Sequence, residues 1–177
     1  GETRDLETAE IAVRASLTGH LVFTTLHTND AVSAAMRLAD MGVEPYLLAA
    51  SLKGVLAQRL VRRLCPECRR EQPLGAAELE EWGPTLAEAL PEGRHWVAVG
   101  CPRCDEGYRG RTGLFELLRA TSSVLEALRR RAPPSELRAI AMASGMRPLR
   151  AAGLALVAAG ETSLQELRRV LGRDEGA

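Results

Sequence analysis

Two cysteine pairs constrain this chain more than anything else in it: Cys65-Pro66-Glu67-Cys68 and Cys101-Pro102-Arg103-Cys104. A C-x2-C spacing lets two thiolates converge on one ion across a tight turn. Two such turns supply a tetrahedral set of four sulfurs, the arrangement Zn2+ takes in closed structural sites. The intervening residues, 69–100, exceed what a compact zinc ribbon holds, so that stretch carries structure of its own. Four protein ligands leave no open position, so such a metal is structural and not catalytic. The alternatives are two independent redox pairs or four free thiols. A thioredoxin-type site needs its C-x-x-C where a strand leads into a helix, whereas these pairs follow an expected helix and a Gly turn. His95 is a candidate replacement ligand, but four cysteines already close the site.

The rest of the chain must fold around those pairs. From Asp5 to Leu17, apolar residues at 6, 9, 13 and 17 have helical spacing. "HLVFTTLH" (20–27) is rich in β-branched residues and reads as a buried strand. Asn29 or Asp30 is a helix N-cap, with the helix running to about Asp40 and ended by Gly42. Pro45 opens another expected helix that runs to the first cysteine pair. One or two short helices fit "GAAELEEWGPTLAEAL", and "GYRGRTGLFELLRA" reads as a Gly-rich turn feeding a short strand. Helices are expected at 122–131, 134–144 and 162–172, with a frayed end over 172–177.

Lys and Arg number 23, as do Asp and Glu, so no global field favours nucleic acid and no nucleic-acid partner is expected. No stretch approaches the roughly 20 apolar residues that span a bilayer, and no signal-peptide pattern opens the sequence. The chain therefore reads as cytosolic. In a reducing compartment cysteines are more often metal ligands or redox groups than disulfides.

His20 and His27 bracket the expected strand. Their odd separation puts them on opposite faces. His27, at the strand end and followed by Thr-Asn-Asp, is the better candidate for a site. Ordinary hydrogen-bonded strand-end histidines are the competing reading, and Glu2 taken alone is an ordinary solvated carboxylate.

Taken together, "GETRDLETAEIAVRASLTGHLVFTTLHTNDA", "RLADMGVEPYLLAASLKGVLAQRLVRRLCPEC", "GCPRCDEGYRGRTGLFELL" and "GMRPLRAAGLALVAAGETSLQELRRV" closely resemble the hexameric secretion ATPases that drive type II secretion and type IV pilus assembly. The resemblance covers nearly the whole chain. It implies an α/β fold: the C-terminal half of a RecA-like P-loop NTPase domain (1–64), a zinc-binding tetracysteine module (65–121) and a helical C-terminal region (122–177). "GETRD" resembles the end of the family's Walker B segment, G-E-hydrophobic-R-D, with Thr3 in place of the aliphatic residue. By that match Glu2 is the catalytic glutamate that polarises the attacking water and helps hold hydrated Mg2+, with Arg4 and Asp5 beside it in the nucleotide site. "TGHLVFTTLHTND" resembles the family's His box, making His20 and His27 candidates, and His27 a γ-phosphate sensor or subunit-interface residue. Cys65, Cys68, Cys101 and Cys104 match the family's tetracysteine motif. Retraction motors typically lack that motif, which favours a secretion or assembly motor.

The resemblance also implies ATP and Mg2+ as ligands of the full-length protein and structural Zn2+. It implies a homo-hexamer, docked from the cytoplasm on inner-membrane platform proteins. The family's Walker A loop, G-x4-G-K-[ST], does not occur, and the one lysine, Lys53, lies in an expected helix. The chain is thus expected to be a C-terminal fragment cut inside Walker B and inactive alone. The competing reading is a non-catalytic, zinc-stabilised docking module of the same machinery.

Overall fold

The computed structural model describes residues 1–172; of the end expected to fray, 173–177 lie outside the described residues. The chain is mixed α/β. In order, its elements are α1 (Leu6–Leu17), α2 (Ala31–Asp40), α3 (Pro45–Ser51), β1 (Gly54–Leu64), β2 (Arg70–Pro73), α4 (Ala76–Trp82), α5 (Pro84–Ala89), β3 (Arg94–Val97), β4 (Tyr108–Arg119), α6 (Ser122–Arg129), α7 (Pro134–Ala143), α8 (Leu149–Ala158) and α9 (Leu164–Leu171). Among the described residues no helix is long and apolar enough to cross a membrane.

Two compact units share these elements. The first contains Gly1–Ala57 and Glu116–Arg147, the second Gln58–Phe115 and Pro148–Ala177. β1 and β4 pair with each other, and each strand passes from one unit to the other.

In the first unit, Asp5 caps α1 by accepting the Thr8 N–H, and Asp30 caps α2 by accepting the Ser33 N–H. α2 buries Ala31, Val32 and Ala35 in a core with Leu118 of β4, Val124, Ala127 and Leu128 of α6, and Leu137 and Ala141 of α7. A second cluster joins Ala9 and Val13 of α1 to Val43 and Leu48.

In the second unit the 32-residue stretch between the cysteine pairs does carry its own structure: two short helices, α4 and α5, and the antiparallel pair β2–β3. Gln72 stands opposite His95 in that pair. Trp82, Leu86 and Leu90 are buried there, and Leu149, Leu154, Val157, Leu164 and Leu167 are buried on α8 and α9.

From Tyr108 on, the Gly-rich turn expected in "GYRGRTGLFELLRA" belongs to the 12-residue strand β4, and two further expectations are corrected. The helix expected from Pro45 to the first cysteine pair stops at Ser51, and Gly54–Leu64 is a strand. "VLAQRLVRRL" offers apolar residues at both helical and alternating positions, and pairing with β4 decides for the strand. Gly54 permits that pairing, since a Cβ there would stand 3.1 Å from the Leu118 carbonyl oxygen. The second correction concerns residues 20–27. They form no strand beyond a single bridge residue, Thr25, and they are not buried: Leu21 and Phe23 are 75% and 82% exposed. A strand buries its side chains only against neighbours, and among the described residues this one has a single parallel bridge, Thr25 to Glu2.

Candidate functional site

The bridge at Thr25 builds the first site. Thr3 N–H donates to the Thr25 carbonyl at 3.0 Å, and Thr25 N–H to the Gly1 carbonyl at 3.2 Å. This sets Glu2 beside the segment that carries His27. His27 Nε2 lies 2.9 Å from Glu2 Oε1, and Arg4 donates to Glu2 Oε2 at 2.6 Å. The Arg4 bond, aided by His27 and opposed by partial burial, holds the Glu2 carboxyl below its usual range. Glu2 is therefore an ionised carboxylate near neutral pH, with an imidazole within hydrogen-bonding distance. Such a pair can orient a water and withdraw its proton.

The remaining residues singled out at the N-terminus have other partners. Asp5 spends its carboxylate on the α1 cap. His20 sits past the other end of α1, with Nδ1 3.2 Å from both Thr18 Oγ1 and the Ala15 carbonyl. Thr3, the departure from the aliphatic pattern, is buried, and its hydroxyl meets that of Thr24 at 2.8 Å.

The second site is the cysteine cluster. Cys65, Cys68, Cys101 and Cys104 place their sulfurs within 4.8 Å of one another. Cys104 Sγ is 3.7 Å from Cys68 Sγ and 3.6 Å from Cys101 Sγ. Tetrahedral zinc at ordinary Zn–S distances requires sulfurs about 3.8 Å apart, so the residues fit that ion. Burial pushes the Cys68 thiol up to about 11. A thiolate there needs a cation beside it, which a shared divalent metal supplies. His95 is not a ligand of this cluster. It is buried in the β2–β3 pair, with Nε2 3.1 Å from Gln72 Nε2 and 3.2 Å from Glu78 Oε1.

The backbone shapes both knuckles. Arg69 N–H returns to the Cys65 carbonyl at 2.9 Å, and Cys101 N–H points at Cys104 Sγ at 3.2 Å. Cys65 N–H donates to the Gly107 carbonyl at 2.8 Å, tying the first knuckle to the turn after the second. Gly107 has φ +87°, and a Cβ there would meet the Val99 nitrogen at 2.8 Å and the Ala98 Cβ at 2.7 Å. Gly107→Ala is expected to cost about 2 kcal/mol, combining left-handed strain with overpacking. A urea titration of the metal-loaded protein measures this; an unchanged midpoint would show that the turn relaxes freely.

Two buried carboxylates escaped the sequence reading. Glu116 accepts the Ala31 N–H at 2.8 Å. Glu166 accepts from the Arg62 backbone N–H and from the guanidinium groups of Arg62 and Arg169. The available signal was an acidic residue in phase with the inward-facing positions of an apolar run, as in "LFELL".

Comparison with known proteins identifies the family. The type II/IV secretion system protein family matches residues 1–169. Type II secretion system protein HxcR of Pseudomonas aeruginosa is 52% identical over 171 residues, covering 96% of this chain and 32% of that protein. Type II secretion system protein E of Aeromonas hydrophila is 49% identical over 176 residues, covering 98% and 34%. Type IV pilus assembly ATPase PilB of Acinetobacter baylyi is 45% identical over 171 residues, covering 96% and 30%. The chain spans about a third of the length of these relatives. By the match along nearly all of its length, this chain belongs to the family of type II and type IV secretion system proteins.

Proposed function

We propose that the chain is the C-terminal portion of a hexameric motor that hydrolyses Mg-ATP to drive type II secretion or type IV pilus assembly. The pairing of Glu2 with His27 carries this reading, because a carboxylate held ionised beside an imidazole suits activation of water. Glu2 polarises the water that attacks the γ-phosphate and helps hold hydrated Mg2+. His27 reads the state of that phosphate or the neighbouring subunit, and His20 is the second histidine of the box. Arg4 keeps Glu2 charged, and Asp5 starts α1 directly behind it. In phosphoryl transfer such residues act by positioning and electrostatics.

On this reading residues 1–64 are the C-terminal half of a RecA-like core, 65–121 the zinc module and 122–177 the helical region. Zn2+ held by Cys65, Cys68, Cys101 and Cys104 would neutralise and fix the four sulfurs. No G-x4-G-K-[ST] occurs in the 177 residues, so the phosphate loop is supplied by other parts of the full-length motor and this chain alone does not turn over ATP. The motor works at the cytoplasmic face of the inner membrane, held there by platform proteins.

In the full-length protein, Glu2→Gln is expected to lower ATP turnover at least roughly 100-fold while nucleotide affinity stays within a few-fold. Steady-state hydrolysis and equilibrium binding of a fluorescent nucleotide measure the two. Unchanged turnover would return Glu2 to an ordinary carboxylate and leave the non-catalytic docking module as the reading.

A further inference from the structure

We propose that Glu116 is a positioning residue for the Glu2–His27 site, acting through the first turn of α2; this rests on the proposed role of His27. Glu116 is only 1% exposed, on the buried side of β4 beside Leu118. Carboxylates are almost never buried this fully without a partner that needs them. Here Glu116 accepts the N–H of Ala31, the first residue of α2, at 2.8 Å. That N–H is one of the donors a helix cannot satisfy itself, and it lies at the positive end of the helix dipole. Asp30, one residue earlier, accepts from Arg138 of α7 at 2.9 Å and from the Ser33 N–H at 2.7 Å. The start of α2 is thus fastened from β4 and from α7.

His27 stands between two anchors. Upstream, both backbone groups of Thr25 are bonded to residues 1–3. Downstream, Ala31 is bonded to Glu116. The His27 side chain is 88% exposed, so packing does not aim the ring at Glu2; the backbone between the anchors does. Leucine at 116 would suit the surrounding core equally well and would leave the Ala31 N–H buried without an acceptor. A carboxylate at this position makes sense as a device for placing the His27 segment.

The test uses the full-length protein and a double-mutant cycle. Glu116→Asp keeps the charge but withdraws the carboxylate by one methylene; Glu116→Gln keeps the reach and an acceptor oxygen. Glu116→Asp is expected to lower kcat roughly tenfold with KM for Mg-ATP within about twofold, and Glu116→Gln to stay within about threefold of wild type. In a His27→Ala background, Glu116→Asp should add less than about twofold, because its effect runs through His27. Amide exchange over residues 30–33 should accelerate in Glu116→Asp and not in Glu116→Gln, a readout independent of turnover. A purely structural role would shift Tm in both backgrounds and give losses that multiply. Multiplying losses, or wild-type kcat in Glu116→Asp, overturn this inference alone. Wild-type turnover in His27→Ala overturns the underlying role of His27 as well.

Discussion

Cys65→Ser is expected to take bound zinc from about one ion per chain to near zero and to unfold the unit that carries the cysteines. The magnitude follows from two scales. Structural zinc contributes roughly 10–16 kcal/mol of apparent binding free energy in small tetracoordinate peptides at neutral pH. A whole domain is stable by only about 5–15 kcal/mol. A site of this kind therefore supplies much of what holds its unit together. Cys65 is fully buried and directly follows β1, its N–H is committed to Gly107, and the preceding Leu64 N–H is bonded to the Glu161 carbonyl before α9. Losing the ion frees both knuckles and leaves the turn after β1 tethered through the Cys65 and Leu64 N–H groups. Metal content by mass spectrometry and limited proteolysis within residues 58–115 measure the outcome. A metal-free Cys65→Ser protein with wild-type protease resistance would show that the cysteines pack well enough as neutral thiols, and the zinc assignment would fall.

That prediction was legible in the sequence because ligand spacing is a short-range property. Two residues between cysteines fix a turn whatever surrounds it, and the same locality made α1, the Asp30 cap, α6, α7 and α9 readable. Long-range pairing was not readable. Whether "VLAQRLVRRL" becomes helix or strand depends on β4, more than forty residues away, and the exposure of Leu21 and Phe23 depends on which neighbours a strand has. Glu116 and Glu166 fall in the same class. "SLQE" at 163–166 has the form of a capping box, which would turn Glu166 back on its own helix start. Ser163 does accept the Glu166 N–H, but the carboxylate goes to Arg62 and Arg169 instead. Of the proposed nucleotide-site residues, Glu2 and Arg4 were singled out only through family resemblance, since Glu2 and His27 are distant in sequence and meet beside one backbone bridge.

Glu166→Leu is expected to destabilise the protein by about 3 kcal/mol at neutral pH. The Glu166 carboxylate is fully buried. It takes the Arg62 N–H at 2.9 Å, Arg62 Nε at 3.0 Å, and Arg169 Nη2 and Nε at 2.6 and 2.8 Å. Leucine leaves that backbone N–H and two guanidinium groups without their acceptor. Removing one partner of a buried pair costs about 3–5 kcal/mol; partial exposure of Arg62 and Arg169 puts this case at the lower end. The same network makes stability pH-dependent. Burial opposes ionisation of Glu166, but the bonds from Arg169 and Arg62 outweigh it and lower its pKa from 4.5 to about 2. A carboxyl whose pKa is depressed by folding contributes fully above its unfolded value. That contribution, about 3 kcal/mol, is lost as pH falls from about 4.5 towards 2. Zinc ligands also take up protons in acid, so the informative quantity is a difference between proteins. Urea midpoints of wild type and Glu166→Gln, both metal-loaded, should lie far apart at pH 7 and draw together as pH falls towards 2. A separation that stays constant across that range would mean that Glu166 acts through shape alone and that its charge contributes nothing to holding Arg62 over the Tyr108 ring.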